Sequence, residues 1–253
     1  MPYRYEAASL EGFVQQVACC YLRHGYWWYV MGHVPAKKDP RIIDHKLIEK
    51  YGISVSESTR ARRKQLGRAN LQYLRLERTF VLLATKGKHP FFADEAASIR
   101  DIRHCPIKIG GYAISYRPGG RTRGGEPDKR WHAHVEIERR KYLELKARFL
   151  DLATHRSADK LALAFYQLPY EPYAPIRRQY LNILRAVNGL RRRAGYRPVP
   201  VEVVPLRRRP VKPFLPFDEA LRRAGRPSLP VPGCKSTYAQ GPLPSTPAAG
   251  HRG

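Results

Sequence analysis

Residues 131–145 read WHAHVEIERRKYLEL, and the two halves of this stretch follow different periods. Through Ile137 apolar and polar side chains alternate. That puts Trp131, Ala133, Val135 and Ile137 on one face of a strand, and His132, His134 and Glu136 on the other. From Arg139 the spacing turns helical. Strands that precede this point and helical patterns that follow it together predict an α+β chain. Ile107–Tyr116 is a second alternating run. The connector between the two, RPGGRTRGGEPDKR, is too glycine-rich and charged to be anything but an exposed loop, so the runs are expected to pair as a hairpin.

Working outward, Ser9 can cap a helix whose apolar positions fall three and four apart, with Gly25 as its stop. YWWYVMGHV, Tyr26 to Val34, is aromatic and β-branched and reads as a strand. Its alternation sets Tyr26, Trp28 and Val30 against Trp27 and Tyr29. One set is expected in the core, while the other can offer rings on which unpaired bases stack. Pro40 opens a helix to about Lys50, and SESTRARRKQLGRAN is a basic helix or loop. LQYLRLERTFVLLAT, Leu71 to Thr85, reads as one strand buried on both faces at its far end. Helical patterns then cover Arg139–His155, Ala158–Leu168 and Ile176–Arg193. The expected core, residues 1–195, is an antiparallel sheet of four to five strands with helices largely on one face. From Tyr196 prolines recur every few residues among arginines, which rules out a helix or a central strand. Residues 196–227 are expected to form an extended basic arm and 228–253 a disordered tail.

The charge bounds the partner. Lys and Arg number 47 against 21 Asp and Glu, a formal +26. A field of that size draws polyanions, and displacing counterions from a phosphate backbone supplies affinity that does not depend on sequence. No apolar run reaches the roughly 18–20 residues of a spanning helix; an acidic membrane surface is the competing sink. Arginine, 33 residues against 14 lysines, suits phosphate through its two-pronged donor geometry. The four cysteines, Cys19, Cys20, Cys105 and Cys234, form neither a zinc-finger spacing nor a disulfide framework. Glu6 and Glu11 stand where a signal peptide would be apolar, so a cytoplasmic setting is expected.

The candidate nucleic-acid contacts are the helical row Arg178, Arg185 and Arg192, opposite an apolar stripe of Ile176, Tyr180, Ile183, Leu184, Val187 and Leu190. Arg191 and Arg193, Arg207, Arg208 and Arg209, and Arg62, Arg63 and Lys64 extend them. His132 and His134 support two readings. Imidazoles two residues apart on one strand face can both reach a divalent ion, and the same pattern is the wet face of an ordinary amphipathic strand.

The histidine–apolar–histidine strand resembles the signature of the HUH endonucleases, which include rolling-circle replication initiators, relaxases and single-tyrosine transposases. The resemblance implies that His132 and His134 hold Mg²⁺ or Mn²⁺, with Glu77 or Glu136 completing the shell. It also implies a helical tyrosine, Tyr180 or else Tyr142, that attacks a single-stranded DNA phosphate. Under this reading TFVLLAT, residues 79–85, corresponds to the strand preceding the histidine motif in replication initiators. The other reading of the same basic chain is a non-catalytic RNA- or DNA-binding protein, such as a ribonucleoprotein subunit.

Overall fold

The Ser9 hydroxyl accepts the Gly12 N–H and caps α1 (Leu10–Gln15), which continues through a π-helical turn (Gln16–Tyr21) and a 3₁₀ turn (Leu22–His24). Gly25 ends this run in the left-handed conformation that glycine tolerates. The computed structural model describes residues 3–120 and 124–214; the tail expected at 228–253, and the arm beyond 214, lie outside these. Among the described residues no helix is long and apolar enough to cross a membrane.

The chain is α+β, with its strands in two antiparallel sheets. The first contains β1 (Trp28–His33), β2 (Leu71–Leu76), β3 (Thr79–Ala84) and β4 (Arg100–Asp101), in the order β2-β3-β1-β4. The second contains β5 (Ile107–Ile109), β6 (Tyr112–Pro118) and β7 (Trp131–Ile137), in sequence order. Leu71–Thr85 is therefore not one strand. It folds back at Glu77–Arg78, where Glu77 takes φ 52 and its carbonyl accepts the Arg75 guanidinium. No glycine or asparagine marks that turn, so the sequence carries no turn signal there. The apolar run of β3 is explained by burial on both faces. Leu82 and Ala84 join one core with Val30, Leu71 and Tyr73; Val81 and Leu83 join the other with Tyr29 and Leu74.

Around the sheets lie α2 (Pro40–Lys50), α3 (Glu57–Gln65), the single turn α4 (Phe91–Asp94), α5 (Arg139–His155), α6 (Ala158–Tyr166) and α7 (Ala174–Arg193). Asp44 on α2 is fully buried and accepts both the Arg75 Nε, at 2.9 Å to each carboxylate oxygen, and the Tyr73 hydroxyl. This cluster fastens α2 to β2. On α7 the apolar stripe buries Ile176, Ile183, Leu184 and Val187, each worth roughly 1.5–3 kcal/mol relative to exposure. Gln179 gives and takes a hydrogen bond with the backbone of Ile137, so α7 caps the edge of β7 at its last residue.

The described part of the expected extended arm, as far as Phe214, is laid onto the core. Asn188 pairs twice with the Val199 backbone, at 2.8 Å each way. Gln15 exchanges hydrogen bonds with the Val211 backbone, and Ala7 forms a β-bridge with Phe214. Val199 and Val204 are buried. Proline excludes a ladder here, and side-chain amides satisfy the arm's backbone in its place.

Candidate nucleic-acid interface

Opposite residues of an antiparallel pair share a face, and Ile114↔Val135 and Tyr116↔Ala133 place the apolar face of β6 and β7 in one row. Its inner part, with Tyr112, Ile114, Val135 and Ile137, lies in the core. The row is longer than the core is deep. At the far end Tyr116 and Trp131 emerge, and Trp131 is 41% exposed. Trp27 stacks on Tyr116 with ring centres 5.8 Å apart, and Tyr116 stacks on Trp131 at the same distance. The Arg103 guanidinium lies 4.7 Å from the Trp27 ring centre, 5.4 Å from Trp28 and 6.0 Å from Trp131. Asp101 holds Arg103 in place with a forked pair, Nε to Oδ1 at 2.9 Å and Nη2 to Oδ2 at 2.6 Å. That partner keeps the Asp101 carboxyl below the usual carboxylate range in spite of burial, and keeps Arg103 charged.

Beside Trp131 the surface sinks into a hollow of about 330 Å³ between the end of the β6–β7 hairpin and the π-helical turn. Tyr116 and Trp131 form its aromatic wall, Arg23 supplies a cation, and His132 stands at its mouth. Arg23 is exposed and makes no ion pair among the described residues. The His132 Nε2 is 2.7 Å from Asp128, whose carboxyl is lowered first by the Arg130 N–H and then by this imidazole.

His134 lies on the other, polar face of the hairpin. Its Nδ1 is buried without a hydrogen bond, 3.8 Å from Glu136, which in turn pairs with Arg117 at 3.2 Å. Burial, reinforced by the positive charges of Arg117 and Arg178 and opposed by Glu136, lowers His134 below the usual imidazole value of 6.5. The unfolded imidazole then takes its proton first, so this site's contribution to stability falls as pH drops through 6.5. Titration followed by NMR is expected to show His134 below 6.5, and Arg117→Gln is expected to raise it. An imidazole titrating at 6.5 in both proteins would remove Arg117 from its surroundings.

The metal expectation does not fit this donor set. Among the described residues no group of three or more His, Cys, Asp or Glu side chains converges on a point. His132 is turned to Asp128, and the Arg117 guanidinium occupies the Glu136 carboxylate that would complete a shell. Glu77 stands in the β2–β3 turn of the other sheet. The tyrosine expectation is corrected as well. Tyr180 is 0% exposed, and its hydroxyl donates to the Tyr170 carbonyl and accepts the Tyr170 N–H. Burial pushes that phenol far above its ordinary value, the reverse of what a nucleophile needs. Tyr142 packs against the core in the first turn of α5. Tyr180→Phe is therefore expected to lower stability by about 1 kcal/mol, because it removes the partner of two half-buried backbone groups of Tyr170. A stability unchanged by this substitution would contradict the assigned bonds.

Among the basic candidates, Arg178, Arg185, Arg192 and Arg193 are exposed, as are Arg207, Arg209, Arg62 and Lys64. Arg191 is not available. It is 3% exposed, and its guanidinium donates to the carbonyls of Ala153, Arg156 and Arg197. Arg208 is spent on Gln15 and the Tyr173 ring, and Arg63 donates to the Gly52 carbonyl. Sequence reasoning missed Arg23, Arg103 and Tyr116. The available signal was Tyr116 and Trp131 next to Arg117 and Arg130, where an apolar row runs on into a charged loop. Comparison with protein-family models, curated proteins and solved structures finds no match for this chain.

Proposed function

We propose that this protein binds unpaired segments of RNA or DNA, taking a base into the hollow beside Trp131 and holding the neighbouring phosphates with Arg23 and the exposed arginines around it. The observation that carries this reading is the aromatic stack fixed by Arg103, which ends on an exposed tryptophan at a cation-edged hollow. A base stacked on an aromatic side chain is worth about 1–3 kcal/mol. The ring is already in place before the ligand arrives, so little ordering opposes that gain. The formal charge of +26 adds affinity that falls with salt.

Binding without cleavage is the favoured form of the reading. An HUH-type nick needs an ion shared by His132 and His134 and a tyrosine with a free hydroxyl. The pairing of His132 with Asp128 and the burial of Tyr180 argue against both. The test is a titration of an end-labelled ten-nucleotide single strand, as RNA and as DNA, at two salt concentrations and with Mn²⁺. Salt-sensitive binding that leaves the strand intact is expected. No binding of either strand at low salt would overturn the proposal, and a Mn²⁺-dependent nick would restore the enzymatic alternative.

A further inference from the structure

Helix α3 buries none of its residues, yet it carries Arg60, Arg62, Arg63 and Lys64 within nine positions. Its attachments are polar: Arg63 donates to the Gly52 carbonyl, and the Asn70 amide donates to the Arg60 carbonyl. Arg60 is followed by Arg63 and Lys64 three and four residues on, spacings at which like charges destabilise a helix, and Glu57, three residues before it, is the only acid on α3. The macrodipole favours cations in the last turn, but it does not account for Arg60, nor for the cations beyond the helix. There the loop after β3 is pressed onto residues 67–69. Lys88 donates its N–H to the Gly67 carbonyl and accepts the Ala69 N–H. Gly87 makes this approach possible, since a Cβ at its φ of 144 would stand 2.4 Å from the Ala69 nitrogen. The clamp brings Arg68 and Lys88 together with Arg63 around a notch of about 560 Å³. Arg62, Lys64, Arg68 and Lys88 are exposed and form no ion pair among the described residues.

We infer that α3 and this loop form a second nucleic-acid surface, one that docks the phosphate backbone of a duplex. The chemistry differs from that of the Trp131 hollow. Residues 54–70 contain no aromatic side chain, and the one ring lining the notch, His89, lies against Tyr51, so this surface has no exposed tryptophan or tyrosine like Trp131. It offers cations at high density, matched by the duplex, which carries one charge per roughly 1.7 Å of axis. A helix with none of its residues buried also suits a major groove about 12 Å wide. The inference shares with the proposed function only the premise that the ligand is nucleic acid.

The test compares three proteins, the wild type, Arg62→Gln/Lys64→Gln/Arg68→Gln/Lys88→Gln and Trp131→Ala, on a blunt 16-base-pair duplex and on a ten-nucleotide single strand. Thermal melts verify that the variants are folded. The fourfold variant is expected to lose duplex affinity and to flatten its salt slope, each lost B-DNA phosphate contact removing about 0.9 from it. Trp131→Ala is expected to bind the duplex as the wild type does. Duplex binding with an unchanged slope in the fourfold variant would overturn the inference, as would a wild type that binds only the single strand. Loss of duplex binding in the fourfold variant, with single-strand binding unaffected by Trp131→Ala, would keep this surface and reject the hollow.

Discussion

Trp131→Ala is expected to weaken single-strand binding by about five- to 150-fold, the equivalent of roughly 1–3 kcal/mol. The ring is the exposed end of a stack that begins at Trp27, and Tyr116 is covered on both sides by its neighbours. Trp131 is therefore the ring of this stack free to take a base. Its partial exposure means that the fold gains less from it than from a core aromatic, so affinity should change more than stability. Trp131→Phe is expected to retain much of the affinity, because a π-face remains. The salt slope should stay near that of the wild type, since no cation is removed. Equal affinity in Trp131→Ala and wild type would show that the hollow is not where bases go.

Asp44→Ala is expected to cost about 3–5 kcal/mol, a large share of the 5–15 kcal/mol that typically stabilises a domain. Burial pushes the Asp44 carboxyl up, while the Arg75 guanidinium and the Tyr73 hydroxyl pull it down. Removing the carboxylate leaves Arg75, itself 3% exposed, with Glu6 as its acidic partner at 3.4 Å and strands the Tyr73 hydroxyl in the core. A Lys or Arg charge left without a buried partner is the costly half of a broken ion pair. The paired substitution Asp44→Leu/Arg75→Met removes both charges and is expected to recover most of the loss. Urea denaturation of the three proteins measures this directly. A cost below about 1 kcal/mol for Asp44→Ala would mean that water reaches the site and that α2 is not fastened by this pair.

The helices were legible because their signals are local. The periodic runs at 139–155 and 158–166, and most of 174–193, contain their own stripes, and Pro40 and Ser9 mark the starts of α2 and α1. The β2–β3 hairpin was not legible, because its turn is held by contacts rather than by turn residues: Arg75 reaches the Glu77 carbonyl, and Arg78 reaches the carbonyl of Pro35. The docking of the arm was not legible for a related reason. Proline spacing reports that no ladder forms, but it is silent on whether Asn188 and Gln15 wait elsewhere to satisfy the backbone. Charge alone could not separate Arg191 from Arg192, since burial is decided by which carbonyls α5 and the arm present. At the candidate site the sequence offered Trp27, Trp28 and His132, and placed Trp131 only on the apolar face of its strand. It hid their assembly, because Arg103, Tyr116 and Arg23 come from separate segments and meet only in three dimensions.

Ultraviolet cross-linking of the protein to a 5-iodouracil-substituted single strand, with the attached peptide identified by mass spectrometry, locates the bound base. Covalent attachment at Trp131 or Tyr116, competed away by unmodified single strand and lost in Trp131→Ala, is the expected result. Attachment confined to peptides outside the hollow, and unchanged in Trp131→Ala, would contradict it.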